Sequence, residues 1–207
     1  MDLSDPGTVV MTSTTSAVLR VLVAAPGASF TIRQVAGLAG VSHTAAQGVV
    51  HRLAEHGLVG LSPAGTALLC TFNRDHLAAD AVIALLGLRA RLLDVLRHDI
   101  AAWPLRPRHA SLYGSGARGD GSVSSDLDVL VVRPGLRADE EDAWEDQLAD
   151  FSSRIRLATG NRVAVLDLTT TAFRRAVDSR EPIVDSWRRD SVHLWGDRLE
   201  RVREQAA

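Results

Sequence analysis

Asp126 and Asp128 stand one residue apart at the head of the apolar run Leu127-Asp128-Val129-Leu130-Val131-Val132. Side chains alternate faces along a strand, so these two carboxylates share a face a few ångströms apart. Such a pair raises its own pKa unless a cation sits between its members. A hard divalent ion such as Mg2+, completing its shell with phosphate oxygens, is the natural occupant. Upstream, Gly114-Ser115-Gly116 follow a second apolar run that ends at Leu112 and Tyr113. The glycines let backbone N–H groups close around an anion, and Ser115 adds a hydroxyl donor. The stretch from His109 to Val132 therefore reads as strand, phosphate-sized loop, strand: an anion cradle beside a metal seat. An isolated Asp-x-Asp more often faces solvent at a turn; the glycine loop tells against that here.

Gly114-Ser115-Gly116-Ala117-Arg118-Gly119 also fits G-x-G-x-x-G, the dinucleotide fingerprint. That motif needs a long helix after its glycines and an acid about twenty positions on. Asp120-Gly121-Ser122-Val123-Ser124-Ser125 is poor helix material and the acids come at once, so the dinucleotide reading fails.

The combination of Gly114-Ser115, the ten residues Gly116 to Ser125, and Asp126-Leu127-Asp128, with Ala117-Arg118-Gly119 inside the gap, resembles the minimal nucleotidyltransferases of the DNA polymerase β superfamily. The resemblance implies a mixed β-sheet packed by helices. It also implies two Mg2+ ions and an NTP, ATP first among them, whose NMP moves to a hydroxyl of an acceptor. Asp126, Asp128 and a third acid from a later strand would hold the metals, Gly114 and Ser115 the β- and γ-phosphates, with Arg118 a weaker candidate for the same charge. The matching third acid is Asp167, at the end of a strand over residues 162–168 where it shares a face with Val163 and Val165. Read from the residues alone, Asp167 also suits the capping of a helix over residues 170–177. Family acceptors include small molecules, tRNA and proteins such as a partner toxin, and nothing in the sequence selects among them. The competing implication is a transcriptional regulator whose nucleotidyltransferase fold only senses nucleotide.

The rest of the chain supplies the elements that must carry this stretch. Its 207 residues suffice for one large or two small cores. No apolar run nears the roughly 20 residues a bilayer requires, and Asp2 and Asp5 do not suit a signal peptide, so a cytoplasmic protein without a membrane partner is expected. One cysteine, Cys70, excludes an internal disulfide and a cysteine zinc cluster. All basic residues are Arg, which leaves no Lys as base or phosphate clamp, and a net charge of −2 tells against coating nucleic acid by charge alone.

Residues 1–11 lack periodicity and read as a frayed terminus. Helices are expected over residues 13–24, 32–39 (capped by Thr31) and from Ser42 to about His56, the last burying Ala45, Val49 and Leu53, with Gly40 turning the chain between the second and third. A hairpin over residues 58–72, turning at Pro63-Ala64-Gly65, follows as a wing. This order resembles bacterial winged helix-turn-helix regulators. In DNA binding, the third helix would present His43, Thr44, Gln47, His51 and Arg52 to base edges, with Ser42 near phosphate. Arg20, Arg33, Arg52 and Arg74 are balanced by Asp2, Asp5, Glu55 and Asp75, so protein contact or dimerisation is the other reading.

From Asp75 to Trp103 one long helix is expected, with Ala81, Leu85, Leu88, Leu92 and Val95 spaced as in a coiled-coil seam; it would either make a homodimer or pack on its own domains. A further helix over residues 138–158 and a closing helix carrying Ile183, Val184 and Trp187 complete the reading. The fold class is α+β: a winged helix-turn-helix domain over 1–74, a linker helix over 75–103 and a nucleotidyltransferase domain over 104–207.

Overall fold

The structure, a computed structural model, describes residues 1–204. It is α+β and divides into two compact units, Asp5–Leu88 and Met1–Ser4 with the chain from Arg89 onward.

In the first unit the helices begin where side chains can satisfy their free N–H groups. Helix α1 (Ser13–Ala24) is capped by Thr12, α2 (Ile32–Ala39) by a Thr31/Gln34 capping box, and α3 (His43–Glu55) by Ser42. Gly40, left-handed at φ 67°, ends α2 and sets up the turn into α3. Strand β1 (Phe30–Thr31), too short to read from the sequence, joins the hairpin β2 (Val59–Ala64) and β3 (Ala67–Phe72) in an antiparallel sheet of order β1-β3-β2. This is the winged helix-turn-helix arrangement. Its core includes Val18, Leu22, Val35, Val50 and Cys70. Helix α3 buries Val49 as expected, together with Ala46 and Val50; Leu53 packs partly buried against the same core, and Ala45 is half-buried.

The single helix expected over Asp75–Trp103 is two: α4 (Ala79–Leu86) and α5 (Leu88–Ala101), interrupted at Gly87. Glycine weakens a helix interior, and here it marks the division of the chain. The expected seam is split with it. Ile83 and Leu86 pack on the core of the first unit, Leu92, Leu96 and Ile100 lie in that of the second, and Val95 is exposed.

The second unit is built on a four-stranded mixed sheet of order β6-β5-β4-β7 among the described residues. Strands β4 (His109–Tyr113) and β5 (Leu127–Arg133) are antiparallel, and β6 (Val163–Thr169) runs parallel to β5. Between them lie the short helix α6 (Gly114–Arg118) and the long helix α7 (Glu141–Thr159); α8 (Thr170–Asp178) and α9 (Pro182–Asp190) follow. The closing segment is not one helix: after α9 comes β7 (Val192–Gly196), which pairs antiparallel with β4, and then α10 (Leu199–Glu204). Its Val-His-Leu-Trp alternation is a strand pattern that the neighbouring helical spacing hid.

Strand β5 is buried on both faces from Val129 to Val132, which explains the unbroken apolar run there. Leu127, Val129 and Val131 meet α5 and Trp144, Phe151 and Ile155 of α7. Leu130 and Val132 meet Phe173 and Val177 of α8 and Val184 and Trp187 of α9. The first residues are not frayed: Leu3 is buried in this core and its N–H donates to the Gly121 carbonyl at 2.8 Å. Among the described residues, no helix is long and apolar enough to cross a membrane.

His109 on β4 is 1% exposed. Its Nδ1 lies 2.7 Å from the Asp197 carbonyl and its Nε2 2.9 Å from the Ser111 hydroxyl. A carbonyl only accepts, so Nδ1 carries the proton and a neutral ring takes the Ser111 hydroxyl on Nε2. Burial holds its pKa below the ordinary 6.5, outweighing the bond to the Asp197 backbone. The unfolded chain therefore takes up a proton that the folded chain refuses, and stability falls as pH drops below 6.5. We predict that the thermal midpoint declines as pH drops below 6.5, and that part of this decline is absent in His109→Gln.

Candidate functional site

The register of β4 on β5 pairs Tyr113 with Asp128, so Gly114, the next residue, arrives beside that carboxylate. Gly114 has φ +68°, and a Cβ on it would lie 2.6 Å from Asp128 Oδ2. Only glycine meets both demands, a left-handed backbone and a close approach of chain to carboxylate. What reads as a loop is the short helix α6, ended by Gly119 at φ 79°. The Ser115 carbonyl accepts from the N–H groups of Gly119 (2.9 Å) and Asp120 (3.2 Å), which closes the turn. Gly121 leaves room for the Ser115 hydroxyl, which lies 3.3 Å from where a Cβ on it would stand.

Asp128 shares the face of β5 that carries Leu130 and Val132, the side covered by α8 and α9, and Asp126, just before the strand, lies close enough for its charge to act on Asp128. Burial, reinforced by the neighbouring Asp126 charge, raises the Asp128 pKa, and burial with the Asp128 charge raises that of Tyr113. Arg162 Nε stands 3.3 Å from Asp126 Oδ2 in an exposed pair.

Asp167, the third acid that the resemblance implies, lies on the other face of the sheet. In the parallel pairing of β5 and β6 it stands opposite Val131, whose side chain belongs to the α7 face. Its Oδ2 accepts from Trp144 Nε1 at 3.1 Å and lies 3.4 Å from Arg133 Nε, while Oδ1 is buried without a partner. Burial raises its pKa, against the Trp144 hydrogen bond and the Arg133 charge. The sheet thus separates Asp167 from the Asp126/Asp128 face. The β6 residue in register with Asp128 is Ala164, which brings no oxygen. Among the described residues, no group of three or more His, Cys, Asp or Glu is placed to hold a metal. Two carboxylates with phosphate oxygens suit one Mg2+, an ion that takes one or two protein carboxylates beside substrate phosphates. The two-ion set fails the same test, because it needs a third acid on this face.

Arg118 projects from α6 but is engaged: Nε with Asp120 at 3.0 Å and Nη1 with Asp190 at 3.1 Å. Arg89, which no sequence signal singled out, packs against Gly119 from α5.

In the winged helix, Ser42, His43, Thr44, Gln47 and Arg52 are exposed and His51 is half-buried. Ser42 Oγ accepts from the Ala45 N–H at 3.2 Å, and Arg52 donates to Thr15 Oγ1 at 2.9 Å. Both roles are structural within the unit. The wing tip, Ser62 to Thr66, carries no basic residue for phosphate contact.

No family model and no curated protein sequence matches the chain. Distant structural likeness is found to a toxin–antitoxin structure with AMP-PNP (18% identity, TM-score 0.33, covering 56% of this chain and 81% of that one). It is also found to a provisionally assigned nucleotidyltransferase from Sulfolobus solfataricus (22% identity, TM-score 0.29, covering 52% and 83%). A third likeness is to the archaeal chromatin protein TrmBL2, reported with a novel mode of DNA binding (15% identity, TM-score 0.29, covering 86% and 72%). The site stands on its own geometry.

Gly114→Ala is predicted to cost about 1–3 kcal/mol in denaturant unfolding, since it combines backbone strain with a clash at Asp128. Gly135→Ala in the same unit, where a Cβ meets nothing within 4 Å, is expected to change stability by less than about 0.5 kcal/mol.

Proposed function

We propose that the second unit binds a nucleoside triphosphate with one divalent metal ion, ATP foremost, and that the chain is a winged-helix regulator which senses nucleotide. The motif Gly114-Ser115 to Asp126-x-Asp128 and its placement on one face support binding. The single observation that favours sensing over transfer is Ala164 standing in register with Asp128. The position on β6 that could bring a third carboxylate to this face holds a methyl group.

In this reading Asp126 and Asp128 hold the metal, which when bound neutralises the repulsion between carboxylates and polyphosphate. Gly114 admits the chain close to that centre, and Ser115 offers its hydroxyl and backbone N–H to phosphate oxygen. Asp167 takes no part; it ties β6 to α7 through Trp144. Helix α3 offers His43, Thr44 and Gln47 to DNA or to a partner protein, with Ser42 shaping the helix start and His51 and Arg52 at its far end.

Nucleotidyl transfer to a hydroxyl, on a partner protein such as a toxin or on another acceptor, is the second reading, and the intact Asp126/Asp128 pair favours it.

Calorimetry with each NTP and Mg2+, beside transfer of α-labelled NTP in cell extract, separates the two. The expected outcome is Mg2+-dependent ATP binding that is lost in Asp128→Asn, retained in Asp167→Asn and tighter in Ala164→Asp, without transferred label. Label moved by the wild type and lost in Asp128→Asn establishes the transferase. Absence of nucleotide binding overturns both readings.

A further inference from the structure

We propose that Arg89 is a positioning residue of the nucleotide seat and supplies its uncompensated positive charge, a part for which the family resemblance makes Arg118 a weaker candidate. This rests on the nucleotide-binding reading of the same site.

Arg89 is the first residue of the second unit after the winged helix. Its guanidinium lies against Gly119, with Nε 2.6 Å and Cζ 2.9 Å from where a Cβ on that glycine would stand. One terminal nitrogen donates to the Ala117 carbonyl. Gly119 therefore does two things: it ends α6 in a left-handed conformation and makes the flat seat for the guanidinium. The inner Ala117-Arg118-Gly119 element is the floor on which Arg89 rests.

The charge balance separates the two arginines. Arg118 is paired with Asp120 and Asp190. Arg89 has a buried Nε without a hydrogen-bond partner, and among the described residues no carboxylate lies within ion-pair distance of it. An arginine does not give up its proton, so this partly buried cation lacks the anion that would offset its desolvation. Helix α6 spans five residues, about 7 Å at the usual rise, which is within one Debye length at physiological salt. Polyphosphate bound at Gly114–Ser115 supplies the missing anion at the opposite end of that turn. The bond to Ala117 at the same time fixes the turn that presents Ser115.

A charge role and a purely structural role differ in their dependence on phosphate number. The affinities of ATP, ADP and AMP with Mg2+ should be measured for the full chain, its Arg89→Met, Arg89→Lys and Arg118→Met variants, each checked by circular dichroism and melting. Arg89→Met is expected to weaken ATP about tenfold, ADP less and AMP least, with the loss shrinking at high salt. Arg89→Lys should recover most of the ATP affinity, and Arg118→Met should stay within about twofold of wild type. Equal losses for all three nucleotides without rescue by lysine overturn the proposal, as does a folded Arg89→Met that binds ATP like wild type. Failure of the wild type itself to bind any nucleotide removes the site reading and this inference together.

Discussion

The register of β5 against its two neighbours is the constraint on which the rest of the molecule depends. Through β4 it sets Tyr113 opposite Asp128 and delivers Gly114 to the carboxylate; through β6 it sets Ala164 at the same level and sends Asp167 to the far side. A shift of one residue would exchange every side chain between the faces, bringing Val129 and Val131 to α8 and α9 and Asp128 into the apolar layer under α7. The burial of Leu127, Val129 and Val131 on one side and of Leu130 and Val132 on the other opposes such a shift. The hydrophobic core thereby decides which acids can act together.

That dependence explains what could and could not be read from the amino-acid order. The local features were legible because each carries its own signal: Thr31 and Ser42 as caps, Gly40 as a left-handed turn, Asp126 and Asp128 on one face through their spacing. The grouping of Asp167 with Val163 and Val165 was also correct. What the sequence did not contain was the relation between that face and the face of Asp128, since parity within a strand says nothing about register between strands. Arg89 was hidden for a related reason. It sits in a leucine-rich helix far from the glycine motif, and only tertiary packing brings it to Gly119. The helix expected across Gly87 and the missed strand at Val192–Gly196 show short-range pattern yielding to the division of the chain and to an open edge of β4.

The two units rest on different physical grounds. The winged helix is held by caps, a glycine turn and an aliphatic core, and its third helix exposes His43, Thr44, Gln47 and Arg52 with little net positive charge nearby. Any contact with DNA must come from the fit of that helix to a groove, and a protein partner is served by the same surface. The second unit brings the Gly114-Ser115 turn beside the Asp126/Asp128 pair, and among the described residues no strand sets a third acid on their face. Binding needs the first set; the transfer chemistry implied by the sequence resemblance needs the second as well.

The stoichiometry of metal binding tests this account most directly. Titration of the protein with Mn2+ in the presence of a non-hydrolysable ATP analogue, followed by electron paramagnetic resonance, counts the ions held. One tightly held ion per chain is expected, dependent on nucleotide and on Asp126 and Asp128. Two tightly held ions per chain, with one of them lost in Asp167→Asn, would contradict it.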